Sequence, residues 1–412
     1  MRLTSEERRM LAGKLGEPVR RAIEQQIKVG EFWGAERFVE VTNVHMMGDI
    51  EVMGDAGLGF LGDNCRAKAR CMRPTSTNAR CMDFAWSDRF GQSAESVRKE
   101  HEIIANLRRM NVTTVDTCIN YQTVYQPHLG EHVAWGDTGT VIYANSVFGA
   151  RSNFESGPAA FAASLTGRTP AYGFHLDRHR RGTLLVELDA RLEDLADWGA
   201  LGKIVGDPNQ DYFAVPVFVD GRQVPVSDEL KHLGCSLASY GSMAMYHMPG
   251  VTPEAASLKD AFGGRTPRAR MRVTDRDLNR IYRGYQLAEG GTVVVFSGPQ
   301  LSLWELGRLA SLFDGRQVHS SIRCFVTTNQ QVLSEARRLG VAQALEAANV
   351  AVLEGVCFYI LDRLSEIRRD NGWTNLVSNS AKIVNTITAH RFNTILRRTV
   401  ECVEIACSGK VR

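Results

Sequence analysis

The last third of the chain alternates short apolar segments with amphipathic ones. Short apolar runs between turn residues predict buried strands, and apolar residues at three- or four-residue spacing predict helices. The predicted strands are 292–296, 320–327, 350–353 and 374–377, and the predicted helices are 274–287, 302–313 and 329–348. This alternation predicts a parallel, doubly wound sheet, whose ligands gather beyond the carboxyl ends of its strands.

The first two thirds of the chain are less regular. The pattern predicts a helix at 5–29, a strand at 38–45 ending on His45, a helix at 96–110 and a strand at 112–115 leading to Cys118. Further on it predicts a strand at 183–188, a helix at 192–201, and exposed loop with an edge strand at 207–226. The glycine- and charge-rich segment 249–267 predicts a boundary near residue 268, between an N-terminal α/β region, 1–268, and a C-terminal doubly wound α/β domain, 269–412.

Residues 116–168 are more polar and more glycine-rich than a core segment of that length. Side chains that bind metals, transfer protons or hold carboxylates alternate there with glycines, which let the backbone approach a ligand closely. The stretch is therefore predicted to form the wall of an active site and to carry most of its residues. For Cys118 alone, a buried thiol packed as a small apolar side chain remains an alternative.

Composition and charge limit the possible functions. The 412 residues are 44% hydrophobic and 23% charged, with a net charge of +3, as expected for a globular protein of two or three domains. No run of five or more basic residues marks a nucleic-acid surface. The charged N-terminus has no apolar signal segment, and no apolar run approaches ~18 residues, so we expect a cytoplasmic protein. Nine cysteines, an odd number, predict thiols, some of them metal ligands, rather than disulfides.

Several common catalytic motifs are absent from the sequence. There is no G-x-x-x-x-G-K-[ST] phosphate loop, no G-x-S-x-G nucleophile elbow and no H-E-x-x-H zinc motif. Nucleotide cofactors are therefore not expected. The remaining polar residues predict a small anionic substrate held near a thiolate-bound metal.

Motifs spread over the whole chain resemble those of a known family. They are Gly54-Asp55-Ala56-Gly57, Pro74-Thr75 with Asn78, Thr117-Cys118 with Tyr121, Gly130-Glu131-His132 with Ala134-Trp135, Tyr143-Ala144-Asn145-Ser146, Gly149-Ala150-Arg151 with Asn153, Gly157-Pro158, Gly167-Arg168-Thr169-Pro170, Gly173 with His175-Leu176-Asp177, and Asn379-Ser380 with Lys382. On these motifs the sequence resembles the large, catalytic subunit of the aconitase X family. The resemblance implies an α/β, aconitase-like fold, in which several lobes with parallel sheets surround a central cleft.

The resemblance also implies a reaction and a metal. Aconitase X proteins are hydro-lyases with an iron or iron–sulfur centre on cysteines at the cleft. Bacterial members dehydrate cis-3-hydroxy-L-proline to Δ1-pyrroline-2-carboxylate, and archaeal members dehydrate mevalonate 5-phosphate. Cys118 and Cys357 stand at the positions of metal ligands.

One turn departs from the family pattern. The archaeal Gly-Cys-Pro-His-Cys turn is replaced here by Ser297-Gly298-Pro299-Gln300-Leu301. A third thiol would then come from Cys324, Cys81 or Cys71, or the centre would be smaller than a cluster, such as mononuclear iron.

The other site residues are assigned from the same resemblance and from their chemistry. Lys382, Ser380 and Asn379 are predicted to be catalytic. Arg151 is predicted to clamp a substrate carboxylate, because its planar guanidinium binds a carboxylate at two points. The remaining predicted substrate contacts are Asn145, Ser146, Asn153, Thr75, Asn78 and His45. For each residue singly, a turn-capping role is the alternative.

In this family a small subunit, or a fused and swivelling β-rich domain, completes the site and supplies a catalytic serine. This chain ends at Arg412 without such a domain, so we expect a small-subunit partner, a small-molecule substrate, no nucleic acid and no membrane. The predicted clamp and the missing phosphate loop favour cis-3-hydroxy-L-proline over mevalonate 5-phosphate. A non-catalytic scaffold or iron-sensing subunit remains an alternative because of the altered turn at 297–301.

Overall fold

A computed structural model describes residues 1–219 and 224–410. The strands are β1 Phe38–Glu40, β2 Val44–Met46, β3 Thr75–Thr77, β4 Val112–Thr113, β5 Ala134–Trp135, β6 Arg168–Pro170, β7 Leu184–Asp189, β8 Pro216–Val219, β9 Ala269–Thr274, β10 Gly291–Phe296, β11 Ile322–Thr328, β12 Val350–Glu354, β13 Trp373–Ser378 and β14 Asn393–Leu396. The helices are α1 Ser5–Leu11, α2 Glu17–Phe32, α3 Ile50–Arg66, α4 Ala94–Arg109, α5 Asn120–Thr123, α6 Thr138–Tyr143, α7 Gly157–Thr166, α8 Leu195–Gly206, α9 Ser227–Gly241, α10 Leu258–Ala261, α11 Asp275–Arg283, α12 Leu303–Phe313, α13 Gln330–Arg338, α14 Val341–Ala347, α15 Leu364–Asp370, α16 Ala381–Thr386 and α17 Thr399–Ser408. Among these helices none is long and apolar enough to cross a membrane.

Two parallel sheets supply the strand ends on which most of the polar motifs lie. The strand order is β4-β3-β2-β5 in the first sheet and β12-β11-β10-β13-β14 in the last. Every pairing in both sheets is parallel. In each sheet the first strand lies inside and later strands add on both sides, so both are doubly wound, with switch points between β2 and β5 and between β10 and β13. The predicted doubly wound sheet and the predicted α/β class are confirmed.

A third parallel sheet has the order β8-β7-β9. Its strand β9 begins at residue 269, directly after the predicted boundary, and pairs with β7 along its whole length. This sheet therefore includes strands from both sides of residue 268, and the division into 1–268 and 269–412 stays a prediction. Within the predicted loop and edge strand at 207–226, β8 is an edge strand, and residues 220–223 lie outside the described residues.

The largest apolar core extends from the sheet β8-β7-β9 through α8 and α9 to the last sheet. Small residues allow its elements to approach closely. Gly202 of α8 faces Ser236 of α9, where an added Cβ would lie 2.6 Å from the serine Cβ. A side chain at 202 would force the two helices apart, so glycine sets their distance. This tight packing supports the elements that enter the cleft.

Glycines also explain where the helices differ from prediction. The predicted helix 5–29 is two helices, because Gly16 has a φ of 99° and Pro18 lies in the first turn of α2. The predicted helix 329–348 is also two helices, separated at Gly340 with a φ of 76°.

The predicted strand 38–45 is interrupted, since β1 pairs with β6 and β2 joins the first sheet. Strand β14 was not predicted, because its sequence offers only two apolar residues.

Candidate active site

Two cysteines meet where the first and last sheets face each other. Cys118 follows β4 and Cys357 follows β12. Both side chains are buried, and each acts on the pKa of the other. The two sheets are also linked by the backbone N–H of Arg80, which donates to the carbonyl of Gly355 at 2.9 Å. Both sheets therefore present carboxyl ends to one cleft, the usual place for ligands of parallel sheets.

Hydroxyl and amide groups surround the thiol pair. The Ser297 hydroxyl lies 4.0 Å from the Cys357 sulfur and 2.7 Å from the Thr327 hydroxyl. The backbone N–H of Gln300 donates to the Cys118 sulfur at 3.2 Å. The hydrogen bond from Cys357 lowers the pKa of Cys118 although burial opposes this, and burial raises the pKa of Cys357. Of the two thiols, Cys118 therefore loses its proton more readily.

A buried ion pair lies beside the thiols. Lys382, in the first turn of α16, places Nζ 3.4 Å from both carboxylate oxygens of Asp137. That carboxylate also caps α6 by accepting the Gly139 N–H at 3.0 Å. Burial is the largest single influence and disfavours the Lys382 ammonium, but Asp137 together with Tyr359, Cys235 and Cys118 outweighs it and holds the pKa of Lys382 well above its usual range. The cleft thus contains a charged ammonium at neutral pH, and its charge helps to lower the pKa of Cys118.

A third thiol, Cys235 of α9, approaches the same ion pair. An added Cβ on Gly139 would stand 2.7 Å from the Cys235 sulfur and 3.6 Å from the Lys382 nitrogen. Glycine at position 139 is therefore needed to bring α6 against both side chains. Burial raises the pKa of Cys235 to about 12, so this thiol is neutral at pH 7.

The available donors determine which metal centre fits. Among the described residues, no three His, Cys, Asp or Glu side chains are placed to hold a metal ion. The thiols predicted as third ligands lie elsewhere: Cys71 donates to the Ser164 hydroxyl, Cys81 lies beside Glu100, and Cys324 lies in the first half of β11. The pair therefore fits an iron centre held by two protein sulfurs with its other positions open. It does not by itself supply the four cysteines that usually bind an iron–sulfur cluster.

Two of the predicted substrate residues, His45 and Asn78, come from the first sheet, at β2 and just after β3. Nδ1 of His45 hydrogen-bonds to the Ser76 hydroxyl at 2.9 Å. Its Nε2 and the Asn78 side-chain oxygen are buried without a hydrogen-bond partner among the described residues. Burial lowers the pKa of His45 to about 4, so the ring is neutral at pH 7. Buried polar atoms normally have partners, and the Asn78 side chain is close enough to the His45 ring to oppose the lowering of its pKa, so the two side chains lie next to each other.

The predicted catalytic residues lie together at the switch point of the last sheet. The Ser380 hydroxyl donates to the Gly298 carbonyl and accepts the Ile383 N–H at 3.3 Å, which caps α16. The Asn379 amide donates to the Thr399 hydroxyl at 3.0 Å. Both side chains thus hold the helix that carries Lys382. Their catalytic roles stay predictions.

Four other predicted substrate contacts have partners within the fold. The Asn145 amide donates to the carbonyls of Ser152 and Ala244, both at 2.9 Å. The hydroxyl of Ser146 accepts the N–H of Tyr246 at 2.9 Å. The side-chain oxygen of Asn153 accepts the Phe174 N–H at 2.9 Å, and Thr75, at the start of β3, donates to the Arg73 carbonyl at 2.9 Å. These bonds match the turn- and loop-holding roles that were the alternative for each residue, and their substrate contacts stay predictions.

Arg151, the predicted carboxylate clamp, is paired with Asp177 at 2.5 Å and donates to the His175 carbonyl at 3.1 Å. No hydrogen bond or ion pair in the described part of the chain joins Arg151 to the thiols or to Lys382. Arg151 and Lys382 are thus held by different carboxylates, Asp177 and Asp137. The clamp stays a prediction.

Several groups at the cleft were not predicted as site residues. Asn120, two residues after Cys118, is fully buried, and within the described chain neither amide atom has a partner. The hydroxyl of Tyr121 is likewise buried without a partner there, while its ring stacks on Tyr143 with centroids 4.1 Å apart. Asp137 could have been found as a capping residue just after β5. Cys235 lies in the middle of α9 and offers no sequence signal.

Parallel α/β lobes around a cleft with paired thiols and buried polar groups define an aconitase-like protein. Sequence profiles of the aconitase X first, second and third domains match residues 1–178, 182–283 and 291–408. The chain therefore belongs to the aconitase X family, and it is a hydro-lyase. The family and the enzyme class predicted from the sequence are confirmed.

Individual relatives agree with this assignment. The chain is 35% identical to the phosphomevalonate dehydratase large subunit of Methanothermobacter thermautotrophicus, with 92% of each chain covered. It is 31% identical to the cis-3-hydroxy-L-proline dehydratase of Pseudomonas aeruginosa, covering 99% of this chain and 70% of that one. The crystal structure of Thermococcus kodakaraensis aconitase X in its holo-form matches with a TM-score of 0.87 and 28% identity, covering 98% of this chain and 100% of that chain.

Proposed function

We propose that this chain is the large subunit of a dehydratase that converts cis-3-hydroxy-L-proline to Δ1-pyrroline-2-carboxylate, with an iron centre on Cys118 and Cys357. The charge balance of the cleft supports this substrate. The charged side chains that act most strongly on the thiol pair are Lys382 and Asp137, and their charges cancel. A phosphate dianion needs uncompensated cations such as arginines. A compact zwitterion fits a site whose ammonium is already balanced by a carboxylate.

The unpartnered polar groups complement such a zwitterion. Lys382 has three N–H donors, and those not directed at Asp137 are free to hold the substrate carboxylate. The side-chain oxygen of Asn78 would accept from the ring ammonium, and the neutral Nε2 of His45 would meet the ring hydroxyl. Asn120 offers both a donor and an acceptor beside Cys118. Neither atom of the Asn120 amide has a hydrogen-bond partner among the described residues.

The reaction removes a proton from C2 and hydroxide from C3, and the resulting enamine becomes the imine when a proton moves from nitrogen to C3. An iron ion held by the two thiols would supply a Lewis acid for the leaving oxygen. Lys382 stabilises the negative charge that develops on the carboxylate as C2 loses its proton. Asp137 keeps Lys382 protonated for this task. The proton acceptor is proposed to be a serine of the small subunit, and Asn145, Ser146, Asn153 and Thr75 hold the surrounding loops.

The proposal includes a small-subunit partner. Relatives of this length are named large subunits, and the match covers only 70% of the longer Pseudomonas aeruginosa relative. Three apolar side chains are exposed in the first turns of helices that follow strands of the two facing sheets. They are Val52 at 46%, Trp304 at 84% and Val400 at 48%. Exposed apolar groups at the edge of a cleft are suited to a protein contact.

Dehydration of mevalonate 5-phosphate is the second candidate, because relatives with that activity in their name reach 35% identity and have a similar length. The test is turnover of each compound by the chain co-produced with its small subunit and loaded with iron under anaerobic conditions. We expect turnover of cis-3-hydroxy-L-proline. Turnover of mevalonate 5-phosphate with none of cis-3-hydroxy-L-proline would overturn the choice of substrate.

A further inference from the structure

Gln300 lies where three cleft loops meet. It follows β10 and is fully buried. Its side-chain nitrogen donates to the carbonyl of Asp116 at 3.2 Å and to that of Val356 at 3.1 Å. Its side-chain oxygen accepts the N–H of Cys118 at 3.3 Å. One amide thus connects the loop before Cys118 with the loop before Cys357, and its donors and acceptor are all used.

The backbone of the same residue reaches the thiol directly. The N–H of Gln300 donates to the Cys118 sulfur at 3.2 Å. Its carbonyl accepts from the Lys231 ammonium at 3.4 Å, and Lys231, fully buried, also pairs with Asp228 and Glu305. The loop after β10 is therefore fixed from α9 and α12 as well as from the thiol loops. Movement of this loop would move the Cys118 sulfur.

We propose that Gln300 is a positioning residue that sets the separation and direction of the Cys118 and Cys357 sulfurs for a shared metal ion. The inference rests on the proposed metal site at this thiol pair. Two sulfurs from different sheets reach one ion only if both loops keep a fixed register, and Gln300 is hydrogen-bonded to both loops. Residues that orient metal ligands change affinity by about 10- to 100-fold when they are altered.

Gln92 offers a matched control. It is also a buried glutamine that joins two loops, since its side-chain nitrogen donates to the carbonyls of Cys81 and Asp362, both at 3.3 Å. It has no hydrogen bond to either cleft thiol within the described chain. A merely structural role for a buried glutamine would give Gln300 and Gln92 variants the same behaviour.

The experiment measures Co2+ binding to the metal-free full chain by the absorption of cobalt–thiolate bonds. Gln300→Met removes all side-chain hydrogen bonds at the same length. Gln300→Asn is the second variant, for use if the methionine variant does not fold. It keeps an amide in the buried position, but its side chain is too short to reach both carbonyls. We expect either Gln300 variant to bind Co2+ at least tenfold more weakly than wild type. Gln92→Asn is expected to stay within twofold, and Cys118→Ser to lose the thiolate absorption.

The outcomes separate this inference from the site on which it rests. Wild-type protein without cobalt–thiolate absorption would overturn the thiol-pair metal site itself. Normal wild-type absorption with an affinity within twofold in the Gln300 variants would overturn the positioning role alone. An equal loss of affinity in Gln92→Asn would also overturn it, because the effect would then be general to buried loop contacts.

Discussion

Replacing Asp137 by Asn tests the buried ion pair of the cleft. The amide can still cap α6, so the substitution removes the charge with little change of shape. At a separation of 3.4 Å and an effective dielectric constant of about 20, the lost attraction to Lys382 is about 5 kcal/mol. Removing one partner of a buried pair costs about 3–5 kcal/mol, because the other charge stays buried. We expect Asp137→Asn to lower the free energy of unfolding by that amount.

The matched control is Asp207→Asn at the surface pair of Lys203 and Asp207. These partners are 2.6 Å apart, with side-chain exposures of 22% and 45%. Exposed pairs contribute about 0–1 kcal/mol, so the control should change stability by less than about 1 kcal/mol. The assay is urea unfolding followed by circular dichroism, with the shift in midpoint converted through a common slope.

The pH dependence gives a second observable. The pKa of Lys382 is raised in the folded wild type, so the contribution of the pair is fully present below about pH 10 and is lost as pH rises through the raised value. Without Asp137, burial would lose the strongest of the groups that oppose it, so the pKa of Lys382 would be lower in the variant and the stability of the variant would fall less as pH rises. The difference in the free energy of unfolding between wild type and variant should therefore become smaller above neutral pH. If Asp137→Asn changes the free energy of unfolding by less than about 1 kcal/mol, and this difference does not change with pH, the stabilising buried pair is refuted.

Three further predictions use other residues. Gly139→Ala should lower the free energy of unfolding by about 1–3 kcal/mol, because the added Cβ would lie 2.7 Å from the Cys235 sulfur. Gly59→Ala in α3, where an added Cβ meets nothing within 4 Å, should raise it by about 0.5–1 kcal/mol. Urea unfolding measures both variants, and the opposite order of stability would contradict the packing at Gly139. Burial raises the pKa of Asp49 to about 8, so the wild type should lose stability as pH rises from about 4 to 8. Asp49→Asn keeps the cap of α3 and should lose less stability between pH 5 and pH 8 in thermal unfolding. Equal losses in wild type and variant would argue against a raised pKa of Asp49. Arg151→Lys tests the predicted clamp: a raised KM with a lowered kcat would support it, and unchanged constants would remove it.

The sequence predicted the last sheet better than the first. Strand β10 carries four consecutive, fully buried apolar residues from Val293 to Phe296, as expected for a strand that is covered on both faces. The strands β3 and β5 have three and two residues and lie between polar loops, so their apolar pattern is too short to mark them, and β2 and β4 were predicted only within longer segments. β14 is a half-buried edge strand of the last sheet. Strand length and burial thus limited what could be predicted.

The site was predictable where chemistry follows a strand. Cys118, Cys357 and Lys382 each lie just beyond a strand, and the structure gathers all three in one cleft. A sequence cannot show whether an asparagine points to the cleft or to a backbone carbonyl, and Asn145 does the latter. Cys235 enters from α9 through close helix packing, which has no local signature. The contacts of Gln300 depend on three loops that are far apart in the chain.

The most direct test of the account is the rate of cis-3-hydroxy-L-proline dehydration by four iron-loaded complexes with the small subunit. They contain the wild-type chain, Cys118→Ser, Cys357→Ser and Cys324→Ser, the last a thiol that is buried in β11. We predict turnover by wild type and by Cys324→Ser, with product formation and bound iron lost together in the other two. Full turnover by either cleft variant, or equal loss in all three, would contradict a dehydratase site built on the thiol pair.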